Sequence, residues 1–157
     1  MAVGTSEMIQ LLSNARRQFL KHLEGLREDQ WTWKPYPECK SIAETVAHLI
    51  ANDRAVMQSL ETGKEPDYDA VQEAERNPER LLRMAEETRS SLISLLQSKF
   101  GARPLDESVS LFGMHMKLYE ALAMLACEEY YHIGQAAFIR MATDPSWDYY
   151  SAIYGGG

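Results

Sequence analysis

Four stretches of this chain repeat apolar residues at the 3-4 spacing of an α-helix, and each is bounded by residues that start or stop one. The first runs from about Ser6 to Leu26, with Met8, Leu12, Ala15, Phe19, Leu23 and Leu26 on one face. Two prolines in Trp31-Thr-Trp-Lys-Pro-Tyr-Pro37 then exclude regular helix. The second begins at Ser41-Ile-Ala-Glu44, a capping box whose hydroxyl and carboxylate satisfy free amide donors. It continues through Ile42, Val46, Leu49, Val56 and Leu60 and stops by Gly63. Asn77-Pro78 opens the third, whose apolar face is Leu81, Ala85, Leu92, Leu95 and Leu96, and Gly101 ends it. The fourth is predicted from about Phe112 to Met141, with Asp144-Pro145 as its stop. The alternation Val109-Ser-Leu-Phe is too short to predict a sheet. Helices of roughly 20 to 30 residues, about 30 to 45 Å long, bury such stripes only against one another. An all-α four-helix bundle is therefore expected. The long connections, Glu61 to Glu75 and Ala102 to about Ser110, leave room for a crossover in place of up-down-up-down order.

At 157 residues, 45% hydrophobic and 25% charged, the chain has the size and balance of one globular domain, placed at residues 1–154. Gly155-Gly156-Gly157 is expected to be a flexible tail. A net charge of -7 without a Lys/Arg cluster argues against nucleic acid and against an anionic membrane surface. No apolar run approaches the roughly 18 residues that span a bilayer. Cys39 and Cys127 stand far apart, outside any Cys-x-x-Cys motif, and the first residues lack signal-peptide character. Two reduced thiols in a cytoplasmic protein are expected.

The fourth stripe, through Leu118, Ala121, Met124, Leu125, Ile139 and Ala142, is interrupted by Glu128, His132 and Gln135. Glu128 and His132 stand one turn apart near its centre. A buried carboxylate is costly unless an opposite charge, hydrogen bonds or a metal ion compensate it. Carboxylate and imidazole projecting from one helix into a bundle is how such folds build metal sites. The pair suits Zn²⁺, Ni²⁺, Fe²⁺ or Mn²⁺, and a third ligand is needed to hold the ion well. The other histidines are His22, His48 and His115. His48 would complete a set of two imidazoles and one carboxylate, which leaves coordination positions open for chemistry. Yet His48 lies to one side of the Ile42/Val46/Leu49 stripe, nearer Thr45 and Asn52, and periodicity alone does not select it. The alternative is a hydrogen-bonded Glu128–His132 pair with His48 on the surface. Asp53, on the stripe of the second helix, is read as capping a backbone group or orienting a ligand imidazole. Met114, Met116, Met124 and Met141 are read as core, and Gly134 as a point of close helix approach.

Trp31 to Pro37, then Ser41-Ile-Ala-Glu-Thr-Val-Ala-His48-Leu, then Glu128-Glu-Tyr-Tyr-His132-Ile-Gly-Gln135 together resemble the DinB/YfiT-like superfamily over almost the whole chain. The resemblance implies a four-helix bundle with crossover topology, often a dimer, holding a divalent metal on three histidines. One of these comes from the second helix and two, four residues apart, from the last. Carried onto this chain, the ligands would be His48, Glu128 and His132. Two departures are visible. Glu128 stands where the family has histidine. Tyr131-His132-Ile133-Gly134-Gln135 stands where it commonly has His-His-Arg-Gly-Gln, so an imidazole and a guanidinium are lost. The family activities are thiol-dependent S-transfer, isomerisation and metal-dependent hydrolysis. The expectation is a divalent-metal enzyme acting on a small molecule, through metal-activated water or a low-molecular-weight thiol, in a homodimer. A non-catalytic metal-binding or stress-related helical protein is the alternative. No catalytic residue is assigned, Glu129 and Gln135 being the available acid–base candidates.

Overall fold

Ser41 caps the second long helix as its motif requires. Its hydroxyl accepts from the Glu44 amide, and the Glu44 carboxylate accepts from the Ser41 amide at 2.8 Å. In a computed structural model describing residues 3–155, this helix, α3 (Ile42–Thr62), is one of four long ones, with α1 (Thr5–Leu23), α5 (Pro78–Phe100) and α6 (Leu118–Thr143). Gly63 closes α3 in a left-handed conformation, φ 71°, which a side chain would strain. Asn77 caps α5, its side chain accepting from the Arg80 amide, with Pro78 in the first turn. Short helices α2 (Glu28–Thr32), α4 (Tyr68–Val71) and α7 (Tyr149–Tyr154) fill the connections. Gly155 caps α7, its amide N–H donating to Ser151 O; Gly156 and Gly157, the rest of the expected tail, lie outside the described residues.

Helix α1 lies against α5 and α6, α3 packs on α5, and α3 meets α6 over a shorter stretch. The order around the bundle is thus α1, α5, α3, α6. Two links, α1 to α3 and α5 to α6, run between diagonal helices, so the topology is the crossover kind. No helix among the described residues is long and apolar enough to cross a membrane.

The fourth helix starts later than periodicity predicts. Residues from Phe112 to Lys117 belong to a hairpin, β1 (Ser108–Leu111) paired antiparallel with β2 (Met114–Lys117). Both turn residues have left-handed backbone, Phe112 at φ 53° and Gly113 at φ 72°, the conformation of a tight two-residue hairpin turn. Val109 and Leu111 face the core, and the Phe112 amide donates to Ser59 Oγ at 2.7 Å. The alternation was a real strand signal, made sufficient by one glycine and a core to lean on. His115 accordingly sits exposed on β2 instead of opening a helix.

The core is in two parts. One, toward the α2 end, gathers Phe19, Trp31, Val46, Ile50, Leu81 and Ile139. The other, at the hairpin end, gathers Ile9, Leu12, Val56, Leu92, Leu111 and Leu122. Between them lies a layer of four charges, one from each long helix: Arg16, Asp53, Arg89 and Glu129. Arg16 Nε donates to Glu129 Oε1 at 2.6 Å, and its Nη1 to Ala85 O at 2.7 Å. Arg89 Nη2 donates to Glu129 Oε2 at 2.6 Å. Asp53 Oδ2 is 3.2 Å from Arg16 Nη2 and 3.3 Å from Arg89 Nε. Burial works against the charge on Arg16, but Asp53 and Glu129 outweigh it and raise its pKa. Asp53 is therefore neither a backbone cap nor a partner of an imidazole.

This layer makes a prediction that separates two adjacent glutamates. Removing one partner of a buried ion pair strands the others, typically at a cost of about 3 to 5 kcal/mol. Glu129→Gln should therefore lose stability of that order in urea denaturation of the metal-free protein. Glu128→Gln, with its half-exposed side chain, should cost less than about 1 kcal/mol. Equal losses at the two positions would show that the layer is not holding the helices together.

Candidate metal centre

Because α3 and α6 approach each other so little, side chains between them stand in an open seam. His48 enters it from α3, and Glu128 and His132 from successive turns of α6. Glu128 Oε1 lies 3.2 Å from His48 Nε2 and 3.1 Å from His132 Nε2. The two imidazole rings meet edge-on, centroids 5.0 Å apart. One ligand atom from each residue falls within 4.8 Å of the others. All three residues suggested by the resemblance are thus brought together, His48 included, because the seam and not the core stripe is what His48 faces.

Burial at the site differs from what the sequence suggests. His132 is buried, but the Glu128 side chain is 39% exposed and that of His48 36%. The carboxylate at the middle of the buried α6 face is Glu129, with both oxygens held by arginine, so it is closed to substrate as an acid–base group. Ile133, Ala136 and Ala126 share that face. Met114, Met124 and Met141, read as core, are exposed, as is Ala142. Gly134 is no point of close approach within this chain: nothing lies within 4 Å of where its Cβ would be. His22 is buried, its Nδ1 bonded to the Gln18 carbonyl, in an aromatic cap with Trp147 and Tyr149 over the bundle end.

Gln135 has a definite place. Its Oε1 lies 2.7 Å from His132 Nδ1. With the Gln135 amide in this orientation its oxygen accepts from Nδ1, and the neutral tautomer that fits carries its proton there and its lone pair on Nε2. That lone pair faces Glu128 Oε1, another acceptor. Two acceptors at 3.1 Å are reconciled by a proton or a cation between them. Metal–ligand bonds of about 2.0 to 2.2 Å set neighbouring ligand atoms about 3 to 3.4 Å apart, which the two nitrogen–oxygen distances match. The donor set therefore fits a divalent transition metal. Burial lowers the His48 pKa, as do nearby His132 and Lys40, which favours the neutral, ligating imidazole. For Glu128, burial acts upward, but the imidazoles of His48 and His132 beside it outweigh it and hold the carboxyl below its usual range.

Three clefts meet at this point, and each ligand lines a different one. His132 borders the largest, about 650 Å³, between the outer face of α6 and the loop through Pro35 and Lys40. His48 borders a polar cleft of about 290 Å³ with Lys34, Lys40 and Arg76. Glu128 borders a third of about 340 Å³ with Asn52, Tyr68 and Phe112. The aromatics at the largest cleft are Tyr36, Tyr131 and Phe138, none of them singled out by periodicity. The signal that could have found two of them is a second apolar stripe on α6, running through Met124, Cys127, Tyr131 and Phe138.

Residues 11–136 match the sequence profile of the DinB superfamily. No curated protein sequence matches the chain significantly. Among solved structures, the chain is similar to YfiT from Bacillus subtilis, described as a probable metal-dependent hydrolase with an unusual four-helix bundle topology. The match has a TM-score of 0.63 at 15% identity and covers 92% of this chain and 89% of that one. At that identity the likeness is one of fold.

If Gln135 sets the His132 tautomer, Gln135→Leu should weaken divalent-metal binding about 10- to 100-fold in a chelator-competition titration, while Gln135→Glu should not. Unchanged affinity in the leucine variant would remove Gln135 from the site.

Proposed function

This chain belongs to the DinB superfamily, and on that premise we propose that it is a divalent-metal-dependent hydrolase of small molecules. The carrying observation is the convergence of His48 Nε2, Glu128 Oε1 and His132 Nε2 at the junction of three clefts. The description of YfiT as a probable metal-dependent hydrolase supports the same reading.

Three protein ligands leave coordination positions free, as catalytic sites do. A divalent ion there would act as a Lewis acid, polarising a carbonyl or lowering the pKa of water. His48, Glu128 and His132 would hold the ion, and Gln135 keeps the His132 proton on Nδ1. Glu128 uses only Oε1 toward the imidazoles. Its Oε2 makes no hydrogen bond among the described residues and would take the proton from an attacking water. The Tyr131 ring packs edge-on against His132, centroids 5.1 Å apart. A low-molecular-weight thiol is a second nucleophile that the apolar cleft would admit, so S-transfer is tested alongside hydrolysis.

The exposed side of α6 bears on assembly. Met124, Cys127, Tyr130, Tyr131, Gly134, Phe138, Met141 and Ala142 are all exposed and none is charged. We assign the part of this face that lines none of the three clefts, Cys127, Tyr130, Met141 and Ala142, to a homodimer contact.

Protein purified without a metal-affinity tag should contain near-stoichiometric Zn, Ni, Fe or Mn, lost in His132→Ala. It should turn over members of an ester, amide and thiol-plus-electrophile panel only when metal-loaded. A stable metal with no turnover across the panel would instead favour a non-catalytic role. In sedimentation velocity the wild type should run as a dimer and Cys127→Glu, which lines none of the three clefts, as a monomer. A monomeric wild type would remove the assembly assignment.

A further inference from the structure

The largest cleft has a distinct chemistry on each side. Tyr131, Phe138 and Ile139 of α6 face Pro35 and Tyr36 across it, so its walls are largely apolar and aromatic. His132 and Gln135 supply the polar end, next to the ligand atoms. The loop is anchored and not loosely draped. Lys34 Nζ bonds the Glu44 carboxylate at 2.7 Å, tying the loop to the first turn of α3. The Cys39 amide donates to Tyr36 O at 3.0 Å, closing a turn just before Lys40.

The cations around the site are nearly all committed. Lys34 is paired with Glu44, and Arg54 with Glu73. Arg76 donates to the carbonyls of Glu73 and Glu75. The arginine of α6, Arg140, turns away to His22 O and the Trp147 ring. Lys40 makes no ion pair among the described residues and borders both the apolar and the polar cleft. Two neutral imidazoles and one carboxylate around a divalent ion carry a net charge of about +1, and Lys40 adds to it. Glu38 borders the same two clefts, so the side chains of this rim carry one charge of each sign, and the positive balance an organic anion would meet is that of the occupied centre, with the Lys40 ammonium as its contact at the rim.

We propose that the substrate is an organic anion bearing a flat apolar group. The apolar part lies in the cleft between Tyr36 and the Tyr131/Phe138 face, and the negative charge meets Lys40 at the rim. This rests on the hydrolase site proposed above but specifies the substrate class on separate residues. Stacking against aromatic walls selects the flat group, and the free ammonium selects the charge.

The test is a calorimetric titration of zinc-loaded and metal-free protein with phenylpropionate, phenylpropionamide and propionate. Phenylpropionate should bind to both forms and more tightly to the zinc-loaded one. The amide, which lacks the charge, and propionate, which lacks the ring, should each bind about tenfold more weakly. Lys40→Glu and Tyr36→Ser should each weaken phenylpropionate about five- to tenfold, and Lys40→Arg should not. Both positions are exposed loop residues outside the α6 face, so circular dichroism, metal content and oligomeric state should be unchanged in these variants. Equal binding of acid and amide, or no effect of either variant, would overturn the proposal. Absence of metal uptake or of turnover, with phenylpropionate still bound through Lys40 and Tyr36, would defeat the hydrolase reading and support this one. Turnover of uncharged aliphatic esters without phenylpropionate binding would do the reverse.

Discussion

Four charges buried midway along the bundle hold the four long helices in one register. Arg16, Asp53, Arg89 and Glu129 come one from each helix, and among them they connect both diagonals. Apolar stripes can slide by a turn and still bury similar surface. A buried charge cannot slide, because losing its partner leaves it desolvated and uncompensated. The layer therefore specifies which turn of each helix meets which. It suits a topology in which two of the three links between long helices run diagonally, where short loops cannot do that work.

The seam that holds the candidate metal ligands follows from that register. Glu128 is the residue before Glu129, so fixing Glu129 at the centre of the buried α6 face places Glu128 at its edge, about 100° around the helix. His132 is one turn on, and Gln135 lies within reach of its far nitrogen. His48 sits a little over one turn before Asp53 and opens into the seam rather than the core. The candidate site thus adjoins the charged layer along α3 and α6, with His132 buried and Glu128 and His48 half-exposed to solvent. Preorganised ligands with an open side are what a catalytic metal centre requires.

Much of the fold was legible because its signals are local. The capping box at Ser41, the Asn77-Pro78 start and the stop at Gly63 are backbone hydrogen-bonding requirements, and the structure meets them where they occur. The hairpin was missed because its strands are four residues each and stable only against the core. The charged layer was missed for another reason. Arg16, Arg89, Asp53 and Glu129 each occupy a position where the stripe calls for an apolar residue, and two are positive and two negative. That balance was a usable sign. Taken singly, a charge on such a stripe is compatible with a local cap, as for Asp53, and the stripe as drawn from sequence marks Glu128 instead of its neighbour as the buried carboxylate.

From the sequence alone come four helices, their caps, the spacing that sets Glu128 and His132 one turn apart, and the motifs that bring in His48. These depend on residues within a few positions of one another or on a pattern held along the chain. Which helix lies beside which, which of two adjacent glutamates is buried, and where the clefts open depend on contacts between residues as distant in sequence as Arg16 and Glu129. Such contacts exist only once the helices have packed, because a charge is buried or exposed according to what stands opposite it.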